Sequence, residues 1–219
     1  MTRPLPITYF SDVLCVWAYI AQARVDEAAG QFSDEVSIGY RFCSVFGDTA
    51  HKIGKGWADR GAYDGFADHV RESASAFDHV TLHPEIWQRV RPASSTPAHL
   101  VLKAVQRVDA SHFDAALRAI RTVFFERCLD VGERSVLDAA LEEVGVPIDG
   151  VRAAIDSGAA HADLEADRRD ERALMIQGSP TFILDGGRQK LYGNVGYRVI
   201  EANIKELLRS PSAGAASWC

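Results

Sequence analysis

Two periodicities divide the chain into sheet-forming ends and a helical middle. Near the start, Ile7 to Phe10 is a short apolar run and reads as a buried strand. The segment from Cys15 through Ala29 reads as a helix that closes at Gly30. Val36, Ile38, Tyr40 and Phe42 then alternate with Ser37, Gly39 and Arg41, a period of two that predicts a second strand. Strand, helix and strand in this order predict a parallel pair joined by a right-handed crossover.

Beyond this the period changes. Gly47 to Gly61, rich in glycine and charge, is expected to be a loop. Phe66, Val70, Ala74 and Phe77 share one helical face. Thr96-Pro97 has the form of an N-cap followed by proline at the first helical position, and Leu100, Val101, Ala104, Val105 and Val108 extend that stripe. Ser111 to Asp114 has the form of a capping box ahead of Phe113, Leu117, Ile120, Phe124 and Cys128. Val136, Leu137, Ala140, Leu141 and Val144 form a further stripe, and Ile155 to Met175 reads as one or two more helices. The run Glu165 to Arg172 is expected to be a solvated face laced by i,i+4 pairs. Thr181 to Leu184 reads as a strand, Asp185-Gly-Gly187 as a hairpin turn, and Gln189 to Tyr192 as the returning strand. Ile200, Ile204, Leu207 and Leu208 mark a last helix. The expected organisation is α/β. Residues 1–46 and 177–209 form one discontinuous domain, 47–176 an all-helical insertion over the edge that carries Cys15, and 210–219 a flexible tail.

Composition narrows the partners. At 219 residues and 47% hydrophobic, the chain suits one large domain or a domain with an insertion. A net charge of −6 argues against nucleic acid as a partner. No apolar run is long enough for a membrane span. The N-terminus lacks the apolar stretch of a signal peptide, so a cytoplasmic location is expected. Four cysteines are too few for a disulfide scaffold and fit a reducing compartment.

The chemistry centres on Cys15, at the predicted start of a helix, where unpaired amides and the helix dipole favour thiolate and are expected to lower the thiol pKa. The alternative is a small buried hydrophobe. Far downstream, Ser179-Pro180 feeds a strand, either as a cis bond that leaves the Ser179 backbone open to a substrate or as a trans proline opening an edge strand. A helix-start cysteine paired with such a proline is the layout of a thioredoxin-type active site. Ala18 stands where the second thiol of C-x-x-C would be. Cys43 and Cys128 fall on apolar positions and are expected to be structural. Cys219, in Ala-Ser-Trp-Cys, is either a mobile thiol that resolves a disulfide on Cys15 or an accidental tail residue. No metal site is expected: Pro84 interrupts His79, His83 and Glu85, and His99 reads as core or rim. Phe46, Trp57, Phe66 and Trp87 are expected to pack in the core, a pocket lining being the alternative.

Three segments carry a family resemblance: Ser11-Asp-Val-Leu-Cys15-Val-Trp-Ala-Tyr19, Gly178-Ser-Pro-Thr-Phe182 and Leu191-Tyr-Gly-Asn194. With them the chain resembles the DsbA-like thioredoxin superfamily over about residues 6 to 208. It is most similar to the cytoplasmic branch of FrnE-type oxidoreductases, 2-hydroxychromene-2-carboxylate isomerase and kappa-class glutathione transferases. The resemblance implies a thioredoxin fold with an inserted all-helical subdomain and a cis Pro180. It implies Cys15 as nucleophile, with Ser11, Trp17, Ala18, Ser179, Pro180 and Asn194 at the substrate or glutathione site. The isomerase and the kappa transferases typically place a serine where Cys15 stands, to hold the glutathione thiol. Ala18 removes the resolving cysteine and Val16 replaces a common proline, so no dithiol cycle can run within C-x-x-C. A monothiol thiol–disulfide oxidoreductase is favoured, resolved through glutathione or Cys219. A glutathione-dependent isomerase or transferase acting on a small aromatic or electrophilic substrate is the second class, and a non-catalytic thiol-binding scaffold the third. The implied partners are small thiols or disulfides and a protein disulfide, in a chain that can form a homodimer. No tightly bound cofactor is expected, with glutathione as co-substrate.

Overall fold

The computed structural model describes residues 3–209. Four strands form one mixed sheet in the order β2-β1-β3-β4. β1 (Leu5–Ser11) runs parallel to β2 (Val36–Phe42), with α1 (Val16–Gln31) crossing between them. β3 (Thr181–Leu184) lies antiparallel to β1, Phe10 facing Thr181, and β4 (Gln189–Tyr192) returns antiparallel to β3. This register sets the exit of β1 and the entry of β3 at the same end of the sheet, although the sequence separates them by the whole helical block.

Alternation along the strands sorts the two faces. Ile7, Tyr9, Phe182 and Leu184 pack with Val25 and Ala28 of α1 and with Ile200, Ile204 and Leu207 of α8 (Tyr197–Arg209). Phe10 and Ile183 face the other way and meet Cys43, Leu174 and Ile176. Between β2 and β3 stand α2 (Ala62–Ser75), α3 (Thr96–Val108), α4 (Phe113–Phe125), α5 (Arg134–Glu142), α6 (Ile148–Asp156) and α7 (Ala159–Ala173). Their apolar stripes, with Phe46, Phe66 and Trp87, share a core that also takes in Val13 to Val16 and Ala18. Phe46, Phe66 and Trp87 are buried there as mutual packing partners, with Trp57 partly buried against them.

Several local expectations are corrected. Gly47 to Gly61 is not a plain loop: it holds a π-helical turn, Ala50–Lys55, and a 3₁₀ turn, Ala58–Arg60. Turns this short show no period, and buried Ile53 with the Thr49 hydroxyl on the Pro92 carbonyl (2.6 Å) holds the segment down. Thr96 is the first residue of α3 rather than its cap; Ser95 holds the cap position, but its hydroxyl goes to Asp12. Ser111 caps nothing, because it sits in a 3₁₀ turn with its hydroxyl on Asp109 (2.7 Å). α1 runs one residue past Gly30, and Phe77 lies beyond the end of α2. The charged run of α7 is solvated on one side only, where Glu165, Arg169 and Arg172 are exposed. Asp167 is fully buried, accepting from the Phe42 amide (3.0 Å) and pairing with Lys103 (3.0 Å), while Glu171 accepts from the Ser44 amide (3.0 Å). These carboxylates satisfy amides along the free edge of β2 and its extension, which a helix then covers.

Candidate active site

The strand β1 hands over to α1 through a tight turn. The Cys15 amide donates to the Asp12 carbonyl (3.1 Å), and the Cys15 carbonyl accepts the Ala18 and Tyr19 amides (3.1 and 3.0 Å). Cys15 holds the N-cap position of α1 with extended backbone angles and leaves the thiol unused as a cap. The turn is fixed by Asp12. Its Oδ1 accepts the Leu14 amide (3.0 Å); its Oδ2 accepts the Phe46 amide (2.8 Å) and the Ser95 hydroxyl (2.9 Å). His99 accepts the Val13 amide on Nε2 (3.1 Å) and stacks on Phe42 (4.6 Å between centroids).

The segment entering β3 closes the site from the other side. The Ser179–Pro180 peptide bond is cis. The Cys15 Sγ donates to the Ser179 carbonyl (3.2 Å), and the Ser179 Oγ accepts the Asp12 amide (2.9 Å). The Gly193 amide donates to the Pro180 carbonyl (2.8 Å), so the exit of β4 braces the proline. A Cβ on Gly178 would lie 2.9 Å from the Tyr192 hydroxyl, so that side chain would have to shift to admit one.

Electrostatics overturn one expectation. Cys15 is only 5% exposed, and burial pushes its thiol above the ordinary value. The Ser179 side chain and the Ala18 and Trp17 amides pull the other way without overcoming burial, and the nearby Asp12 carboxylate adds to the rise. The S–H to Ser179 carbonyl bond is one that only the protonated thiol can donate. Helix-start position alone therefore does not make this cysteine a ready thiolate. Burial also pushes Asp12 up to about 6 and holds His99 well below the usual imidazole range.

The predicted site residues separate. Cys15, Ala18, Ser179 and Pro180 meet at one point, and Trp17 flanks them, partly buried against the helical core. Ser11 is fully buried, its hydroxyl accepting from Arg121 (3.4 Å). Asn194 is exposed and accepts from Arg24, farther along α1. Cys219 lies outside the described residues. Among the described residues, no cluster of three His, Cys, Asp or Glu side chains is placed to hold a metal, and no helix is long and apolar enough to cross a membrane. Sequence reasoning passed over Asp12 and Ser95. An aspartate two residues before an amide it accepts is a recognisable Asx turn; nothing local marks Ser95 as its long-range partner.

With this geometry in view, comparison with known proteins is decisive for the class. Residues 6–205 match the DSBA-like thioredoxin domain, and the chain belongs to that family. It shares the fold of a probable DsbA oxidoreductase from Streptomyces coelicolor (21% identity, TM-score 0.74, covering 98% of this chain and 94% of that one). It is likewise similar to the cytosolic disulfide reductase DsbM from Pseudomonas aeruginosa with GSH (22% identity, TM-score 0.69, 94% and 100% covered). A 2-hydroxychromene-2-carboxylate isomerase has the same fold (16% identity, TM-score 0.67, 94% and 97% covered). Comparison with curated proteins finds no match.

Proposed function

We propose that the protein is a thiol–disulfide oxidoreductase working through the single thiol of Cys15, with glutathione as its small-thiol partner, in a reducing cytoplasm. The observation that carries this reading is the Cys15 Sγ lying 3.2 Å from the carbonyl that precedes cis Pro180. A disulfide sulfur brought to Cys15 would form a Cys15 mixed disulfide and release one thiol. A glutathione thiolate attacking the substrate sulfur of that mixed disulfide would then form a glutathione–substrate disulfide and release Cys15 as the thiolate, which regains its proton. No step requires a second cysteine at Ala18. The Pseudomonas aeruginosa relative, described as a cytosolic reductase with GSH, supports the choice of partner and compartment.

A second reading rests on the buried, protonated thiol. A group that donates a hydrogen bond rather than attacking suits a glutathione-dependent isomerase or transferase, in which Cys15 holds the glutathione sulfur. One experiment separates the two. Intact mass after incubation with oxidised glutathione is expected to show one glutathione on the native chain and none on Cys15→Ser. No adduct on the native chain, together with turnover of an electrophile in the presence of reduced glutathione, would replace the first reading by the second.

A further inference from the structure

Between α1 and α4 lies a cavity of about 290 Å³ that begins a helical turn beyond Cys15. Tyr19, Gln22 and Asp26 line it from α1, and Arg118, Arg121 and Glu126 from α4 and its end; His79 also borders it, with its Nε2 on the Ile20 carbonyl (3.1 Å). Cys15 points elsewhere, to Ser179.

The charges around this cavity are unevenly satisfied. Arg118 and Asp26 neutralise one another through a two-point contact (2.6 and 2.8 Å). Arg121 is 1% exposed and meets no carboxylate among the described residues. Its Nη1 donates to the Gln22 amide oxygen, its Nη2 to the Ser11 hydroxyl (3.4 Å), and its Nε has no partner. Arginine stays charged in proteins, and a buried charge without a counter-ion is costly. Glu126 shows the opposite imbalance. Its Oε1 accepts both the Tyr19 hydroxyl (2.7 Å) and the Thr122 hydroxyl (3.0 Å); its Oε2 accepts no hydrogen bond among the described residues. Arg127 feels the Glu126 charge but is held by Glu143 (2.7 Å). One cavity thus holds a guanidinium lacking an anion and a carboxylate with no cation bonded to it.

We propose that this cavity binds a small zwitterion, an α-amino-carboxylate, with Arg121 taking the carboxylate and Glu126 the ammonium. The volume matches a molecule of roughly ten heavy atoms, taking about 30 Å³ for each water-sized group. That admits a free amino acid whole, or the γ-glutamyl end of a peptide with the remainder outside. The site is separate from the thiol chemistry and does not depend on it.

Isothermal titration of the full chain with L-glutamate and with S-methylglutathione, which cannot exchange with Cys15, tests the proposal. At least one is expected to bind saturably, and the tighter of the two identifies the source as free or peptide-borne. Glu126→Gln is expected to weaken that binding roughly tenfold or more, and glutarate, which lacks the ammonium, to bind the native chain correspondingly worse. Cys15→Ser is expected to bind as the native chain does. Arg121→Met is expected to abolish binding; because it empties a buried position, Glu126→Gln, on a partly exposed residue, stands as the deciding variant. Failure of both probes to bind, glutarate binding as tightly as L-glutamate, or binding indifferent to Glu126→Gln would overturn the site.

Discussion

Cys15 is pulled in two directions by its own neighbourhood. The first amides of α1 and the Ser179 side chain favour the thiolate; removal from water and the S–H bond to the Ser179 carbonyl favour the thiol, and burial wins. Alkylation by iodoacetamide at neutral pH is therefore expected to be slower at Cys15 than at free glutathione, and to accelerate only above the ordinary thiol range. Mass-resolved rates against pH check this; a Cys15 rate above that of glutathione at neutral pH would show that the helix start prevails. Ala18 tests the same site from one turn away. It is fully buried, so Ala18→Cys adds a sulfur to a packed position and is expected to cost about 1–3 kcal/mol in urea unfolding. It is also expected to supply the missing resolving thiol and raise disulfide-reduction turnover. Unchanged turnover with a correctly folded variant would show that resolution does not limit the cycle.

At the scale of elements, α7 and β2 hold each other through charge as well as through a shared apolar core. Asp167 serves the Phe42 amide, Lys103 and Arg41 (3.1 Å) from a fully buried position. Removing it leaves Lys103 buried without its partner, so Asp167→Ala is expected to lose about 3–5 kcal/mol in urea unfolding. Replacing both, as Asp167→Leu with Lys103→Met, is expected to lose clearly less than the single change; equal losses would mean that the pair is not the source of the effect. This contact shows where sequence reading stops. The strands, the parallel first pair, the hairpin and most helical stripes were legible because periods of two and of three to four report burial directly. A charge run reports only polarity. Whether Asp167 faces water or a strand edge depends on where α7 docks, and neither Phe42 nor Lys103 is near it in sequence. The pairing of Cys15 with Pro180 was legible through a motif; the bonds of Asp12 to Phe46 and Ser95 were not, because each partner is set by the packing of a distant segment.

Across the whole molecule, Asp12 joins the sheet to the helical block. It accepts from its own turn, from Phe46 after β2 and from Ser95 at the head of α3, while its amide meets Ser179 before β3. Three donors on one carboxylate show why it is ionised at neutral pH despite burial that pushes it up to about 6. The sign of the pH dependence follows. Between the ordinary aspartate value of about 4 and the folded value, the native state holds a proton that the unfolded chain has released. Stability from this group is greatest at the acid end of the window and falls by about 3 kcal/mol as pH rises through it. His99 acts oppositely: its depressed folded value means that stability is lost as pH falls below the ordinary imidazole range. The native profile sums the two, so the Asp12 part is read as a difference. Asp12→Asn cannot titrate, and in place of one carboxylate oxygen it sets an amide donor against the Phe46 or Leu14 N–H, an unmade bond costing about 1–3 kcal/mol. The variant is therefore expected to be less stable than the native chain by about 1–3 kcal/mol near pH 4, and the difference is expected to move by about 3 kcal/mol in the variant's favour by pH 7, closing or reversing the gap. Urea midpoints at several pH values across that range measure the gap. A gap independent of pH would mean that Asp12 ionises in the folded protein as it does in the unfolded chain, and that the junction between sheet and helices is held by hydrogen bonds alone.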